Sequence, residues 1–154
     1  MASDFMRKLE AAGKLRKQAA GFVQVEALLK EAIIDITEAK RIVDIAERAT
    51  YLLAYNAMLK AGRALVLFKG YRPVDGAQHK TVVDVTADIL GEPFRDLTNH
   101  FEMMRRKRHD LTYEPGSLLS QKEVVLAFED AKRMISQILK EVKTKNPQME
   151  INWP

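Results

Sequence analysis

The sequence predicts an all-α protein, a compact bundle of five or six helices with an up-and-down core. Two observations indicate this class. Apolar residues recur with a period close to 3.6 along almost the whole chain, which is the period of an amphipathic helix. Only seven glycines and five prolines occur in 154 residues, fewer than the frequent turns of an all-β fold need. No segment is predicted to be a strand.

The first half of the chain divides into three predicted helices. Ser3 is a suitable N-cap, and residues 3–17 are predicted to form a basic N-terminal helix. After a break at residues 18–21, a second helix begins near Val25 and carries a broad apolar stripe. A third helix, at about residues 46–69, is apolar around most of its circumference. Such a helix is typical of the centre of a bundle.

Three more helices are predicted in the second half. Gly70 is a C-cap for the third helix, and a loop with turn-forming residues follows it. Pro93 suits the first turn of the fifth helix. Ser120 and Glu123 have the spacing of a capping box at the start of the last one. The predicted helices lie at about residues 79–90, from residue 93 to beyond 104, and at 121–143.

Composition limits the domain organisation and the chemistry. A chain of this length fits one domain, predicted at residues 1–147, with a C-terminal tail at 148–154. No cysteine is present, which excludes disulfides, thiolate metal sites and cysteine nucleophiles. No uncharged apolar run is long enough to span a membrane, and residues 1–17 lack a signal core. A cytoplasmic protein without membrane contact is expected.

The net charge of +4 is concentrated in two places. One is the basic N-terminal segment, and the other is the unbroken run Arg105, Arg106, Lys107 and Arg108. These four residues are candidates for binding phosphate or RNA. Helix ends also attract cations, because basic side chains satisfy the last carbonyls and the helix dipole. That structural alternative stays open for this run.

Arg108 interrupts an apolar seam on the fifth helix. Phe94, Leu97, Phe101 and Met104 precede it at helical spacing. Since a buried guanidinium needs partners, we expect Arg108 to reach a carboxylate or hydroxyl, or to open onto a cleft. The neighbouring residues Arg106, His109 and Tyr113 share one face, and Asp110 lies four residues after Arg106, where it can pair with it.

Other polar residues are candidate walls of the same cleft. Tyr55, Asn56 and Arg63 occur among the apolar residues of the third helix. A buried Asn56 needs hydrogen-bond partners, which a neighbouring helix could equally supply. His79 and Lys80 open the fourth helix, where free amides attract anions or where the two side chains simply cap the helix. The three histidines lack the spacing of a metal site, and no cofactor is expected.

Three ordered motifs resemble the HEPN superfamily (higher eukaryotes and prokaryotes nucleotide-binding). Residues 54–65 with 70–73 resemble its central helix and the turn after it. His79-Lys80 is similar to the point where the family resumes after a variable loop. Residues 105–114 resemble the family signature near the end of a later helix. The resemblance covers roughly residues 28–142.

The resemblance implies a homodimer whose signature helices face each other across a cleft. Many members are metal-independent ribonucleases of toxin–antitoxin or defence systems, and others work beside a small nucleotidyltransferase. The ribonuclease signature is an arginine, four to six residues, then a histidine. Arg108 matches the arginine, His109 its polar follower, and Tyr113 stands at the histidine position. The pair Arg95 and His100 also has the literal spacing, near the start of the fifth helix.

Three interpretations follow from the sequence. The first is a dimeric binding module for RNA or nucleotide, with a nucleotidyltransferase as a further partner. The second is a metal-independent endoribonuclease that uses Arg108 with His109 or Tyr113. Since the pKa of tyrosine is near 10, Tyr113 is a poor base at neutral pH, and weak cleavage is expected. The third is a dimeric scaffold without a ligand, in which the arginines form only ion pairs.

Overall fold

Helices make up 74% of the computed structural model, which describes residues 2–19 and 21–151. The all-α class predicted from the sequence is therefore confirmed. A short 3-10 helix, Glu92–Phe94, joins two of the helices. The elements in chain order are α1 (Asp4–Ala11), β1 (Leu15–Lys17), α2 (Phe22–Ile42), α3 (Glu47–Phe68), β2 (Tyr71–Pro73), α4 (Gln78–Leu90), α5 (Arg95–Tyr113) and α6 (Gln121–Lys145).

Helix α3 is the centre of the bundle. It packs against α2, α4, α5 and α6, and thirteen of its 22 residues are buried. This arrangement follows from its sequence, since a helix that is apolar on most sides must be covered on most sides. Among the described residues, no helix, α3 included, is long and apolar enough to cross a bilayer.

The predicted helix starts are confirmed at α1 and α6. The Ser3 side chain accepts a hydrogen bond of 3.1 Å from the amide of Met6. At α6, the Ser120 side chain accepts from the amide of Glu123 while the Glu123 carboxylate accepts from the amide of Ser120. These bonds satisfy amides that a helix start leaves without an intrahelical partner.

The N-terminal helix ends much earlier than the predicted residue 17. Helix α1 stops at Ala11, and Gly13 follows with a φ of +76°, a conformation that turns the chain. Residues 15–17 then form β1, which pairs antiparallel with β2. Two three-residue strands were not expected, because segments this short show no clear alternation of apolar and polar residues.

The β1–β2 ribbon covers a small second core. Leu15 of β1 and Tyr71 of β2 are buried together with Met6, Val66 and Val85. The hydrogen bonds continue past the strands, since the amide of Val74 donates to the carbonyl of Lys14 over 3.1 Å. The ribbon thus ties the N-terminal segment to the ends of α3 and α4.

Part of the predicted C-terminal tail packs against the bundle. Met149 and Ile151 are buried in the main core, and the Lys143 ammonium donates to the Ile151 carbonyl over 2.6 Å. Apolar burial explains this contact, because the free energy gained by burying two large side chains exceeds the cost of ordering the terminus. The rest of the tail, residues 152–154, lies outside the described residues.

Gly62 sets the close approach of α3 and α4. A Cβ atom at this position would lie 2.8 Å from Oγ1 of Thr86 and 2.9 Å from Cγ1 of Val82. Only glycine lets the two helix backbones come this near without displacing α4. The N-terminus of α4 is thereby positioned beside α3 and α5, where the candidate site lies.

Candidate functional site

A cleft of about 370 Å³ lies where the N-terminus of α4 meets α3 and α5. We call it the basic cleft, because four of its lining side chains are cationic and only one, Asp75, is acidic. Asp75 is already engaged by the Thr81 hydroxyl. The lining residues are Arg63, Asp75, Gly76, Ala77, Gln78, His79, Lys80, Arg105, Arg108 and His109.

Helix α5 divides the predicted basic run between two surfaces. Consecutive residues of an α-helix are rotated by about 100°, so four adjacent cations cannot face one ligand. Arg105 and Arg108, three residues apart, lie together in the basic cleft. Arg106 and Lys107 line a different depression between α5 and α6. Only half of the predicted phosphate-binding run therefore belongs to the basic cleft.

The second depression, which we call the α5–α6 groove, has a volume of about 570 Å³. Asp110, predicted as a cleft wall, lines this groove and not the basic cleft. The rotation of α5 is again the reason. The residues that line the groove are Tyr51, Asp96, Asn99, His100, Met103, Arg106, Lys107, Asp110, Glu123, Leu126 and Asp130.

Arg108 is half-buried and opens onto the basic cleft, which is one of the two outcomes expected from the sequence. Within the described residues, no carboxylate or hydroxyl forms a hydrogen bond or ion pair with its guanidinium. Its carbonyl accepts a hydrogen bond of 2.8 Å from the Thr112 hydroxyl near the end of the helix. The guanidinium is thus available to an anion that enters the cleft.

Glu102 holds the neighbouring guanidinium in place. Its carboxylate accepts from Nε of Arg105 over 2.7 Å and from Nη2 over 2.9 Å. The same carboxylate accepts from Nε of Arg106 over 2.9 Å. Because these bonds stabilise the ionised form, mainly the bond from Arg105, the pKa of Glu102 falls to about 2. The pKa of Arg105 rises for the same reason.

The ion pair predicted between Arg106 and Asp110 is therefore replaced by one between Arg106 and Glu102. An acidic residue four positions before a basic one is favoured over the reverse order. Glu102 is not among the candidate site residues predicted from the sequence. Its spacing of three and four residues to two arginines is the signal that could have identified it.

Tyr55 and His79 link the core to the cleft. Tyr55 is completely buried, and its hydroxyl lies 2.9 Å from Nδ1 of His79. The two rings stack with centroids 5.8 Å apart. Burial raises the pKa of Tyr55. The pKa of His79 is lowered, first by burial and then by the charges of Arg108, Arg63 and Arg105. The imidazole is therefore neutral at pH 7.

Lys80 and Arg63 complete the positive lining. Lys80 is exposed and pairs with Asp84 one turn along α4, with 3.2 Å between Nζ and Oδ2. Nη2 of Arg63 donates weakly to Oε1 of Gln78 over 3.5 Å. Nε of Arg63 is buried and has no hydrogen-bond partner among the residues that the structure describes. Arg63, which the sequence marked only as a polar residue of the third helix, thus belongs to the cleft.

The rings of His109 and Tyr113 are in contact at the end of α5, with centroids 4.7 Å apart and planes tilted by 49°. His109 lines the basic cleft. Tyr113 is 63% exposed and does not line it. The predicted catalytic trio thus divides into Arg108 and His109, which lie at the cleft, and Tyr113, which lies outside it.

Asn56, expected as a cleft wall or as a buried hydrogen-bonding residue, is exposed and does not line the basic cleft. It follows Tyr55 in α3, and the rotation of about 100° between them turns its side chain away from α4. Helix α3 is therefore exposed on the side of Asn56. The apolar residues that flank Asn56 in the sequence do not indicate this exposure.

The alternative pair Arg95 and His100 is not assembled into one site. The Arg95 guanidinium pairs with Glu92 before the helix. His100 reaches across to α6, where its Nδ1 lies 2.7 Å from Oδ2 of Asp130. Five residues of helix place the two side chains about 140° apart, which explains the separate partners.

In the described part of the chain, no group of three or more histidine, aspartate and glutamate side chains could hold a metal ion. The groups that line the basic cleft are cations, the imidazoles of His79 and His109, the Asp75 carboxylate and backbone groups. No protein-family model matches the chain, and no curated protein is significantly similar to it.

Proposed function

We propose that the protein binds RNA or nucleotide phosphate in the basic cleft. One observation carries this proposal: the half-buried Arg108 guanidinium faces the cleft without an ionic partner among the described residues, beside an Arg105 guanidinium that Glu102 fixes in place. A half-desolvated cation gains most from an anion that enters the site, since the local dielectric constant is lower than in bulk water. A phosphate supplies that charge.

The geometry suits phosphate in particular. A guanidinium presents its N–H donors in a planar fork that matches two phosphate oxygens. Arg63 and Lys80 add positive charge at the other wall of the cleft. The imidazoles of His79 and His109 also line it and offer ring faces on which a base can stack, as single-stranded RNA requires.

The resemblance to the HEPN superfamily supports the same assignment. It adds to the proposal a role in a toxin–antitoxin or defence system and a small nucleotidyltransferase as partner. A nucleotidyltransferase gene beside this one, and co-purification of the two products, would support that part. The scaffold interpretation predicts no salt-dependent binding of RNA, which separates it from the present proposal.

The proposal includes a homodimer formed through the exposed apolar side of α5 and α6. Met103 is 65% exposed and Leu126 50% exposed, and both line the α5–α6 groove. Exposed large apolar side chains rimmed by polar residues are typical of protein interfaces. Light scattering is expected to give twice the chain mass of 17.5 kDa at micromolar concentration. A mass of one chain would contradict this part.

Fluorescence anisotropy with a labelled single-stranded RNA tests the binding site. We expect Arg108→Ala to weaken binding by about 10- to 100-fold, the usual range for a hydrogen bond to a charged group. Arg95→Ala is the matched control, because it removes the same charge from the same helix but lines neither the basic cleft nor the α5–α6 groove. Equal effects of both variants would contradict the proposal.

Metal-independent RNA cleavage is the second candidate, and His79 favours it. In the tautomer whose Nδ1–H donates to the Tyr55 oxygen, Nε2 of the neutral ring is free to accept a proton. The ribose 2′-oxygen would pass its proton to that ring while attacking phosphorus, and a second group would protonate the leaving 5′-oxygen. Cleavage in EDTA that is lost in His79→Ala supports this role.

A further inference from the structure

The β1–β2 ribbon and the residues beside it carry a second group of exposed cations, which the basic cleft does not include. In the ribbon register, Arg16 lies directly opposite Arg72. Both side chains are exposed, as are those of the neighbouring basic residues. We call this group the basic ribbon, and its members are Lys14, Arg16, Lys17, Lys69 and Arg72.

The opposed arginines make this surface electrostatically unusual. Residues directly opposite in an antiparallel pair have Cβ atoms about 4.5–5.5 Å apart, and like charges at such positions destabilise the pair. Within the described residues, none of the five cations forms an ion pair with a carboxylate, although Lys69 lies over the Phe68 ring. An anion between Arg16 and Arg72 would relieve their repulsion and contact both.

The basic ribbon lies within a few residues of the basic cleft along the backbone. Arg72 precedes Asp75, which lines the cleft, by three residues, and three Cα–Cα steps span at most about 11 Å. The carbonyl of Lys14 accepts from the amide of Val74, so β1 is tied to the same loop. A chain of phosphates leaving the cleft past this loop reaches the ribbon directly.

We propose that the basic ribbon binds the phosphate backbone of the same RNA strand that occupies the basic cleft. This inference rests on the proposed function of the cleft and extends its footprint to a strand of several nucleotides. The ribbon recognises the backbone and not the bases, because residues 14–19 and 69–74 of the described chain include no exposed aromatic side chain for stacking.

An anionic membrane surface is disfavoured by the same side chains. Peripheral membrane segments combine cations with apolar residues that enter the lipid interface. The described residues of the ribbon and its flanks, 14–19 and 69–74, expose no large apolar side chain. A phosphate polymer in solution needs no such insertion, and the ribbon therefore fits a nucleic-acid backbone better.

Anisotropy with single-stranded RNAs of about 4 and about 16 nucleotides tests the inference. The double variant Arg16→Ala/Arg72→Ala is expected to weaken binding of the long RNA about tenfold and to leave that of the short RNA within about twofold. Loss of two phosphate contacts should reduce the slope of log K against log salt by about 1.4. The unfolding midpoint of the variant should be unchanged or higher, since the opposed charges are gone.

The matched control is Lys40→Ala/Arg41→Ala. Both residues are exposed, and they lie at the end of α2 that joins the start of α3, so the length of α3 separates them from the ribbon. The control should leave the affinity for both RNAs unchanged. An equal loss in the control, or a long RNA bound no more tightly than the short one, would overturn the inference.

Arg108→Ala separates this inference from the proposed function. We expect that variant to weaken both RNAs, because each occupies the cleft. If Arg108→Ala weakens the binding of both RNAs and the ribbon variant has no effect, the inference about the ribbon alone is overturned. If the ribbon variant weakens RNA binding and Arg108→Ala has no effect, the proposed function of the cleft is overturned. Binding to phosphatidylserine vesicles that depends on Arg16 and Arg72, without an effect on RNA, would identify a membrane surface instead.

Discussion

The hydroxyl of Tyr55 lies 2.9 Å from Nδ1 of His79, which joins a fully buried ring of α3 to the first turn of α4. Phe101 of α5 packs on the same tyrosine with ring centroids 5.9 Å apart. Three helices thus fix one imidazole at the wall of the basic cleft. Side chains held this way from the core keep their geometry when a ligand enters.

The first prediction concerns this hydrogen bond. Tyr55→Phe leaves Nδ1 of His79 without its partner in a half-buried position and should lower the free energy of unfolding by about 1–3 kcal/mol. Tyr51→Phe is the matched control, because Tyr51 is also buried in α3 but borders the open α5–α6 groove. Denaturant unfolding of both variants measures the difference. Equal losses would show that the bond to His79 contributes nothing specific.

The second prediction is a pH dependence of stability. Since the pKa of His79 is lowered in the folded chain, the unfolded chain binds a proton at His79 below about pH 6.5 while the folded chain does not. The unfolded state is then favoured, and stability should fall as the pH drops below 6.5. His79→Gln should flatten this part of the curve, measured as unfolding midpoints between about pH 5 and pH 7.5.

His109→Gln is the control for that measurement. His109 is exposed and lines the same cleft without a hydrogen bond to the core among the described residues. The wild-type dependence on pH should survive this substitution. If it disappears in His109→Gln and persists in His79→Gln, the responsible imidazole has been assigned incorrectly.

The third prediction tests the close approach of α3 and α4. Alanine is normally better than glycine inside a helix by about 1 kcal/mol. Gly62→Ala should nevertheless destabilise the protein, by about 1–3 kcal/mol, because its Cβ would meet Thr86 and Val82 below 3.0 Å. The double variant Gly62→Ala/Thr86→Ala removes one of the two clashes and should recover part of the loss. A stabilised Gly62→Ala would contradict the tight packing.

The fourth prediction compares the effects of Glu102 and Arg108 on the stability of the protein. Glu102→Gln should lower stability by about 1 kcal/mol or more, because Arg105 and Arg106 lose their carboxylate. Arg108→Ala should leave stability within about 0.5 kcal/mol or raise it, since its guanidinium has no ionic partner in the described part of the chain and lies among like charges. Thermal unfolding at neutral pH measures both. A large loss in Arg108→Ala would reveal a structural role for that side chain.

The contribution of Glu102 to the stability of the protein should also depend on pH. Its pKa of about 2 lies below the ordinary 4.5, so its contribution is complete above about pH 4.5 and is lost as the pH falls from there toward 2. This window lies below that of His79, and unfolding curves can therefore distinguish the two groups. Glu102→Gln should remove the lower window only.

The helices could be predicted because their periodicity is strong over many turns. The central position of α3 follows from apolar residues on most of its sides, and the capping box of α6 from two residues at a fixed spacing. The β1–β2 ribbon could not be predicted, because its two three-residue strands are far apart in sequence and depend on each other for their hydrogen bonds. Local patterns carry no information on such a pairing.

The candidate site could be predicted only in part for a related reason. The positions of Arg105, Arg108 and His79 in one cleft agree with the expectation that the α5 signature and the start of α4 meet. The face on which a single residue lies was harder to predict. Asn56 and Asp110 do not line the basic cleft, because each is rotated by about 100° from the residue before it in its helix. Sequence spacing gives relative angles on a helix, and only packing gives the absolute orientation.

The last prediction concerns Tyr113, which stands at the histidine position of the family signature. An imidazole at that position contributes to cleavage only when it reaches the ribose or the leaving oxygen, within about 3 Å or through one water. Tyr113 is 63% exposed, contacts the ring of His109 at a tilt, and does not line the basic cleft. Tyr113→His should therefore leave RNA cleavage in EDTA within about twofold of the wild type, far below the 10²- to 10⁴-fold gain of a positioned acid or base.

Tyr113→Phe is the matched control for loss of the hydroxyl, and His79→Ala tests the imidazole that does lie in the cleft. A gain of about 100-fold in Tyr113→His, abolished by adding Arg108→Ala, would place the reacting phosphate at the end of α5 and contradict the assignment of the chemistry to the side of His79.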